Sequence, residues 1–167
     1  ALQIYQPQLF MTIKLSFKPK QAVKRLLSAL PPRAHDVIVS RYGLGKTPER
    51  MTLETIGKTY KITRERVRQI ENYSFGVIRK SAAYGKEAAA LSELERLIDS
   101  HGGLVHEKEF LKAISGDRGV QNHIHFLLVL GEAFKKRKED DDFYHRWFVN
   151  DELANKVEAS IKKLYES

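Results

Sequence analysis

Residues 51–80 read MTLETIGKTYKITRERVRQIENYSFGVIRK, and the spacing within them predicts two helices joined by a short turn. Thr52 has the character of an N-cap for a helix over 53–60, with Ile56 and Tyr60 one turn apart on its buried side. Gly57 lies between them. A glycine inside a helix costs about 1 kcal/mol relative to alanine, so its presence predicts a close backbone approach there. Thr63 then caps the next helix and leaves Lys61 and Ile62 as the turn.

At about 100° per residue, Val67, Ile70, Ser74 and Ile78 fall in one sector of that second helix. Arg64, the reference position, borders an opposite sector that holds Glu65, Arg68, Gln69, Asn72 and Arg79. One stripe is expected to pack and the other to face outward. The outward stripe has base-reading chemistry: arginine matches a guanine edge, glutamine or asparagine an adenine edge, and glutamate accepts from the cytosine amino group. A solvated surface helix laced by pairs such as Glu65 with Arg68 or Gln69 is the competing reading. The scarcity of acidic partners and the capped helix ahead favour DNA.

The words LLSALPPRAHDVIVSRYGLG, MTLETIGKTY and ITRERVRQIE closely resemble the fourth conserved region of primary-type bacterial sigma factors. The resemblance runs over about residues 26–80. It implies recognition of the −35 promoter element and a resting place on the flap of the RNA polymerase β subunit. Under it, Arg64, Glu65, Arg68 and Gln69 match base-reading positions, with Asn72 beside them. Arg33, Arg41, Thr52, Leu53 and Glu54 match positions at or beside phosphate contacts, and Thr63 and Arg79 are taken with them as candidate phosphate contacts. The residues upstream of Leu26 resemble none of the sigma regions that grip the polymerase clamp and melt the −10 element, so melting is not expected. The end of the recognition helix, residues 73–77, is more apolar than is usual in the family, and its phosphate or flap contacts are expected to differ.

Charge divides the 167 residues unevenly. Residues 1–86 hold 17 Lys and Arg against 5 Asp and Glu, whereas residues 87–167 hold 12 against 16. A basic half joined to a mildly acidic one suggests a nucleic-acid module beside a domain of another kind. The absence of cysteine excludes disulfides and thiolate metal sites. The longest apolar run, residues 126–130, is too short to span a bilayer, and a cytoplasmic protein without membrane contact is expected.

The expected organisation is an N-terminal arm over 1–19, a helix-turn-helix DNA-binding domain over 20–82, a linker or helix extension over 83–90, and a winged-helix-like domain with a C-terminal helix over 91–167. The fold class is mainly α, a sigma-region-4-like module followed by a small α+β domain. Ser92 and Glu95 form a capping-box pattern ahead of Leu94, Leu97 and Ile98. A strand at 104–105, helices over 107–114 and 121–130, a hairpin with strands over 133–138 and 143–149, and a helix over 151–165 follow in winged-helix order. This part weakly resembles the winged helix of the RNA polymerase delta subunit. Four consecutive carboxylates, Glu139 to Asp142, stand at the hairpin tip, and Asn122, His123 and His125 are the polar positions of the helix in the recognition place. Both features point to protein binding, with Lys135, Lys136, Arg137 and Lys138 leaving weak phosphate binding open.

Gly45-Lys46-Thr47 has the ending of a phosphate-binding loop, but position 40 is Ser where the motif needs Gly. His123 and His125, two apart, point about 200° from each other on a helix, and no metal, cofactor or enzymatic activity is expected. Two readings result. One is a sigma-like transcription factor that binds promoter-type DNA and contacts polymerase. The other is a regulator that uses the same fold to bind the polymerase flap or an anti-sigma partner.

Overall fold

The computed structural model describes residues 12–167, so the first eleven residues of the expected arm lie outside it. The chain is mainly helical with one small antiparallel sheet, as the sequence predicts. Two compact units divide it, one of residues 16–90 with 117–130, the other of residues 12–15, 91–116 and 131–167.

The first unit opens with α1 (Pro19–Leu27), which buries Ala22, Val23, Leu26 and Leu27. Pro32 starts α2 (Pro32–Tyr42), where its missing N–H is no loss, and Gly43 ends it in the left-handed region at φ 65°. Next come α3 (Leu53–Tyr60) and α4 (Arg64–Lys80). Val37, Ile56 and Val67 form the shared core of α2, α3 and α4, with Leu53, Tyr60, Ile62 and Ile70 packed around it. A Cβ on Gly57 would lie 2.7 Å from the carbonyl oxygen of Ile62, so the close backbone approach is that of the turn into α4.

After Ser81 the chain forms α5 (Ala82–Lys86) and then α6 (Ala88–Ser100). The expected linker at 83–90 is thus a short helix, a buried Glu87 that pairs with Arg25 of α1, and the first turn of α6. Ser92 lies inside α6 instead of capping it. The three alanines at 88–90 are strong helix formers and extend the helix toward its N-terminus. Gly102 and Gly103, at φ 95° and 81°, stop it.

In the second unit, β1 (Leu104–His106) leads into α7 (Glu107–Ile114), and β2 (Lys135–Arg137), β3 (Arg146–Phe148) and α9 (Asp151–Glu166) complete it. The sheet order is β1-β3-β2, antiparallel throughout, with Val105 opposite Trp147 and Lys136 opposite Trp147 on the other side. Leu104, Phe148 and Ala154 form a core cluster on which Val157 packs. Leu164, two turns beyond Val157 on nearly the same face of α9, is 69% exposed because the core ends before the last turn of the helix.

The element order is consistent with a winged helix, and one unit gives way to the other between residues 90 and 91, but residues 117–130 return to the first unit. The helix α8 (Arg118–Leu130), expected in the recognition place of the second domain, clusters with residues 16–90. Its apolar sequence gives the reason. Residues 122–128 and Leu130 are all buried, and Phe126 meets Tyr42 and Phe75 at ring-centroid distances of 5.4 and 5.9 Å. Among the described residues, no helix is long and apolar enough to cross a membrane.

Candidate nucleic-acid interface

The two threonines act as the local sequence predicts. Thr52 Oγ1 accepts from the N–H of Thr55, and Thr63 Oγ1 accepts from the N–H of Arg66, each at 3.1 Å. Between the helices, Lys61 takes up φ 56° and ψ 44°, and the N–H of Ile62 donates to Gly57 at 2.9 Å. That tight turn fixes the crossing of α3 and α4 and leaves the N-terminal half of α4 standing clear.

On that half, Arg64, Glu65, Arg68, Gln69 and Asn72 are all exposed. Arg68 donates from Nε and Nη2 to the two carboxylate oxygens of Glu65, at 3.0 and 2.6 Å. This bond holds the Glu65 carboxyl below the usual range. Arg66 Nη1 donates to Gln69 Oε1 at 3.1 Å. Pairs in solvent are weak, so these side chains can exchange one another for base edges at little cost. Sequence reading passed over Arg66, which lies outside the reading stripe yet orients Gln69.

The expected phosphate contacts lie on different elements. Leu53 packs on the core through its side chain, so its backbone N–H, with that of Glu54, is what the N-terminus of α3 offers. Arg33 sits 5.2 Å above the Tyr60 ring. Arg41 donates to the Met51 carbonyl at 3.3 Å and lies 3.7 Å from Glu71, whose carboxylate also accepts from the Tyr42 hydroxyl. Burial first, and then the Glu71 charge, push the Tyr42 phenol up, so it stays protonated.

Arg79 departs from its expected place at a phosphate. Its Nε donates to the Leu130 carbonyl at 2.9 Å and its Nη2 to that of Val129 at 3.3 Å, while its guanidinium lies over Phe75. The last carbonyls of α8 lack intrahelical donors, and Arg79 supplies them. Phe75 was likewise absent from the predicted packed stripe. α8 buries it, and nothing in residues 51–80 announces a helix contributed from so far downstream.

The second unit pairs its charges internally. Lys135 meets Asp151, Lys136 lies 3.2 Å from Glu107 and Arg137 2.8 Å from Glu158. At the hairpin tip, Asp142 lies 2.9 Å from Lys162. Asp140 Oδ1 accepts from the N–H groups of Asp142 and Phe143, and its Oδ2 from the buried Arg146 at 3.0 Å. The tip is therefore less negative than its four carboxylates suggest. Among the described residues, no group of three or more His, Asp and Glu is placed to hold a metal ion.

Residues 26–80 match the family described as Sigma-70, region 4. RNA polymerase principal sigma factor HrdD of Streptomyces coelicolor is 44% identical over 66 residues, 39% of this chain and 20% of the relative. RNA polymerase sigma factor SigA of a Nostoc species is 44% identical over 52 residues, 31% of this chain and 13% of the relative. RNA polymerase sigma factor RpoD of Helicobacter pylori is 42% identical over 67 residues, 40% of this chain and 10% of the relative. The chain spans a fifth or less of the length of these relatives. Over residues 26–80, which hold the whole of α2, α3 and α4, it is similar to region 4 of primary sigma factors.

Proposed function

We propose that this protein binds promoter-type DNA, reading a −35-type element with Arg64, Glu65, Arg68, Gln69 and Asn72 of α4 while Arg33, Arg41 and the start of α3 at Thr52, Leu53 and Glu54 hold phosphates. Thr63 serves the same interface by capping the reading helix. The carrying observation is the exposed reading stripe on a capped, tightly turned α3–α4 pair within the matched segment. The partners of this reading are double-stranded DNA and bacterial RNA polymerase in the cytoplasm, and it requires neither an enzymatic step nor a cofactor. Its test is selection of bound sites from random duplexes. Recovery of a common element supports it, and recovery of random sequence sinks it.

A second reading, docking to the polymerase flap or an anti-sigma partner, rests on Tyr73. This side chain is 58% exposed at the edge of a groove lined by Pro31, Ala34, Ile62 and Ile70. Retention of polymerase by the parent chain and its loss in Tyr73→Ala, with DNA titration unchanged, would favour it. The second unit, whose basic strand is neutralised from within, fits protein binding better than phosphate binding.

A further inference from the structure

We propose that Asn122 of α8 is a positioning residue for DNA binding, acting through Arg50 and the loop over 43–50 on the phosphate-facing start of α3. The proposal rests on the DNA-binding reading above. Asn122 is buried, and its side-chain amide uses both ends. Its Oδ1 accepts from Arg50 Nε and Nη2 at 3.0 and 2.7 Å. Its Nδ2 donates to the carbonyls of Gly43 and Pro48 at 3.0 and 2.9 Å. One side chain thus fixes the start of the loop at the C-cap of α2, its later part at Pro48 and its end at Arg50.

The end of the loop leads directly to the interface. The N–H of Met51 donates to Ser40 at 2.9 Å, the Met51 carbonyl accepts from Arg41, and Thr52 caps α3. A loosened loop therefore releases Arg41 and the α3 N-terminus together. Gly43 belongs to the same device, since a Cβ there would lie 2.6 Å from Asn122 Nδ2 and 2.6 Å from the Pro48 oxygen. Asn122 lies outside the segment that matches the sigma family.

The test is a titration of the full chain on a labelled duplex carrying a −35-type element and on a scrambled duplex, at two salt concentrations, with hydrogen exchange of residues 43–55. Asn122→Ala and Arg50→Ala should each weaken binding to both duplexes about tenfold, and their combination should be no weaker than the worse single variant. The salt dependence should become shallower by about one phosphate's worth, which a mere loss of folded protein would not produce. Asn122→Asp, which keeps the Arg50 acceptor but faces the two carbonyls with an oxygen, should behave as Asn122→Ala and serves if the alanine variant does not fold. An unchanged salt slope with unchanged exchange at 43–55, or losses that multiply in the double variant, would overturn the positioning role. Absence of binding by the parent chain would instead overturn the DNA reading itself.

Discussion

Phe126 stacks on Phe75 with ring centroids 5.9 Å apart and 26° between planes, so a residue of α8 completes the packed side of the proposed recognition helix. Tyr42 meets both rings edge-on. Phe126→Ala should cost about 3–5 kcal/mol, the range for emptying a buried aromatic site. Chemical denaturation of the full chain measures it, and a loss under 1 kcal/mol would mean that α8 is only loosely seated. By the same geometry, a fragment ending at residue 90 would lack α8 and should be far less stable than the full chain.

Arg68→Ala and Arg41→Ala should differ in kind. Arg68 lies on the exposed stripe, and its loss should weaken the selected duplex about tenfold while leaving a scrambled one nearly untouched. Arg41 is bonded to Met51 and lies beside Glu71, so its loss should weaken both duplexes alike and lower thermal stability as well. Paired titrations with a melting curve for each variant separate the two. Equal losses on both duplexes for Arg68→Ala would end the case for base reading by α4.

Gly57→Ala should destabilise the protein even though alanine is favoured over glycine within helices by about 1 kcal/mol. The new Cβ would stand 2.7 Å from the Ile62 carbonyl oxygen, with the Thr63 and Arg64 backbone at 3.4 and 3.5 Å, so the turn itself would have to shift. A raised denaturation midpoint would show that the α3–α4 turn relaxes freely.

Acid should loosen the hairpin of the second unit. Burial pulls Asp140 up, but the N–H groups of Phe143 and Asp142 and the Arg146 guanidinium together outweigh it and leave its pKa below the ordinary value. A carboxylate with a depressed folded pKa stabilises the protein above its unfolded pKa, about 4. That contribution is lost as pH falls through the lower folded value. The melting difference between the parent chain and Asp140→Asn should therefore be present at pH 7 and shrink toward pH 3. A difference independent of pH would assign the effect to lost hydrogen-bond geometry alone.

Local chemistry made the α3–α4 pair legible. The threonine caps, Gly57 and the wheel of exposed polar residues are all set within a few positions of one another. Arg79, Phe75 and Arg50 were misread or passed over because α8 supplies their partners. The apolar run at 126–130 is visible in the sequence, but no periodicity says which surface it covers. The acidic tip was visible as composition, whereas its neutralisation depends on Arg146 and Lys162, which only the folded hairpin and α9 bring to it.

The seating of α8 also sets the order in which the chain can mature during synthesis. A helix-turn-helix complete by residue 80 must wait, with Tyr42 and Phe75 uncovered, until Leu130 has been added and the chain has closed across the intervening residues 91–116. Loop closure of that length is entropically modest, yet it makes the last step non-local and therefore slow relative to helix formation. Nascent chains halted before residue 117 should accordingly expose a sticky aromatic face that the finished protein never shows, making this interval the one in which chaperone protection matters most.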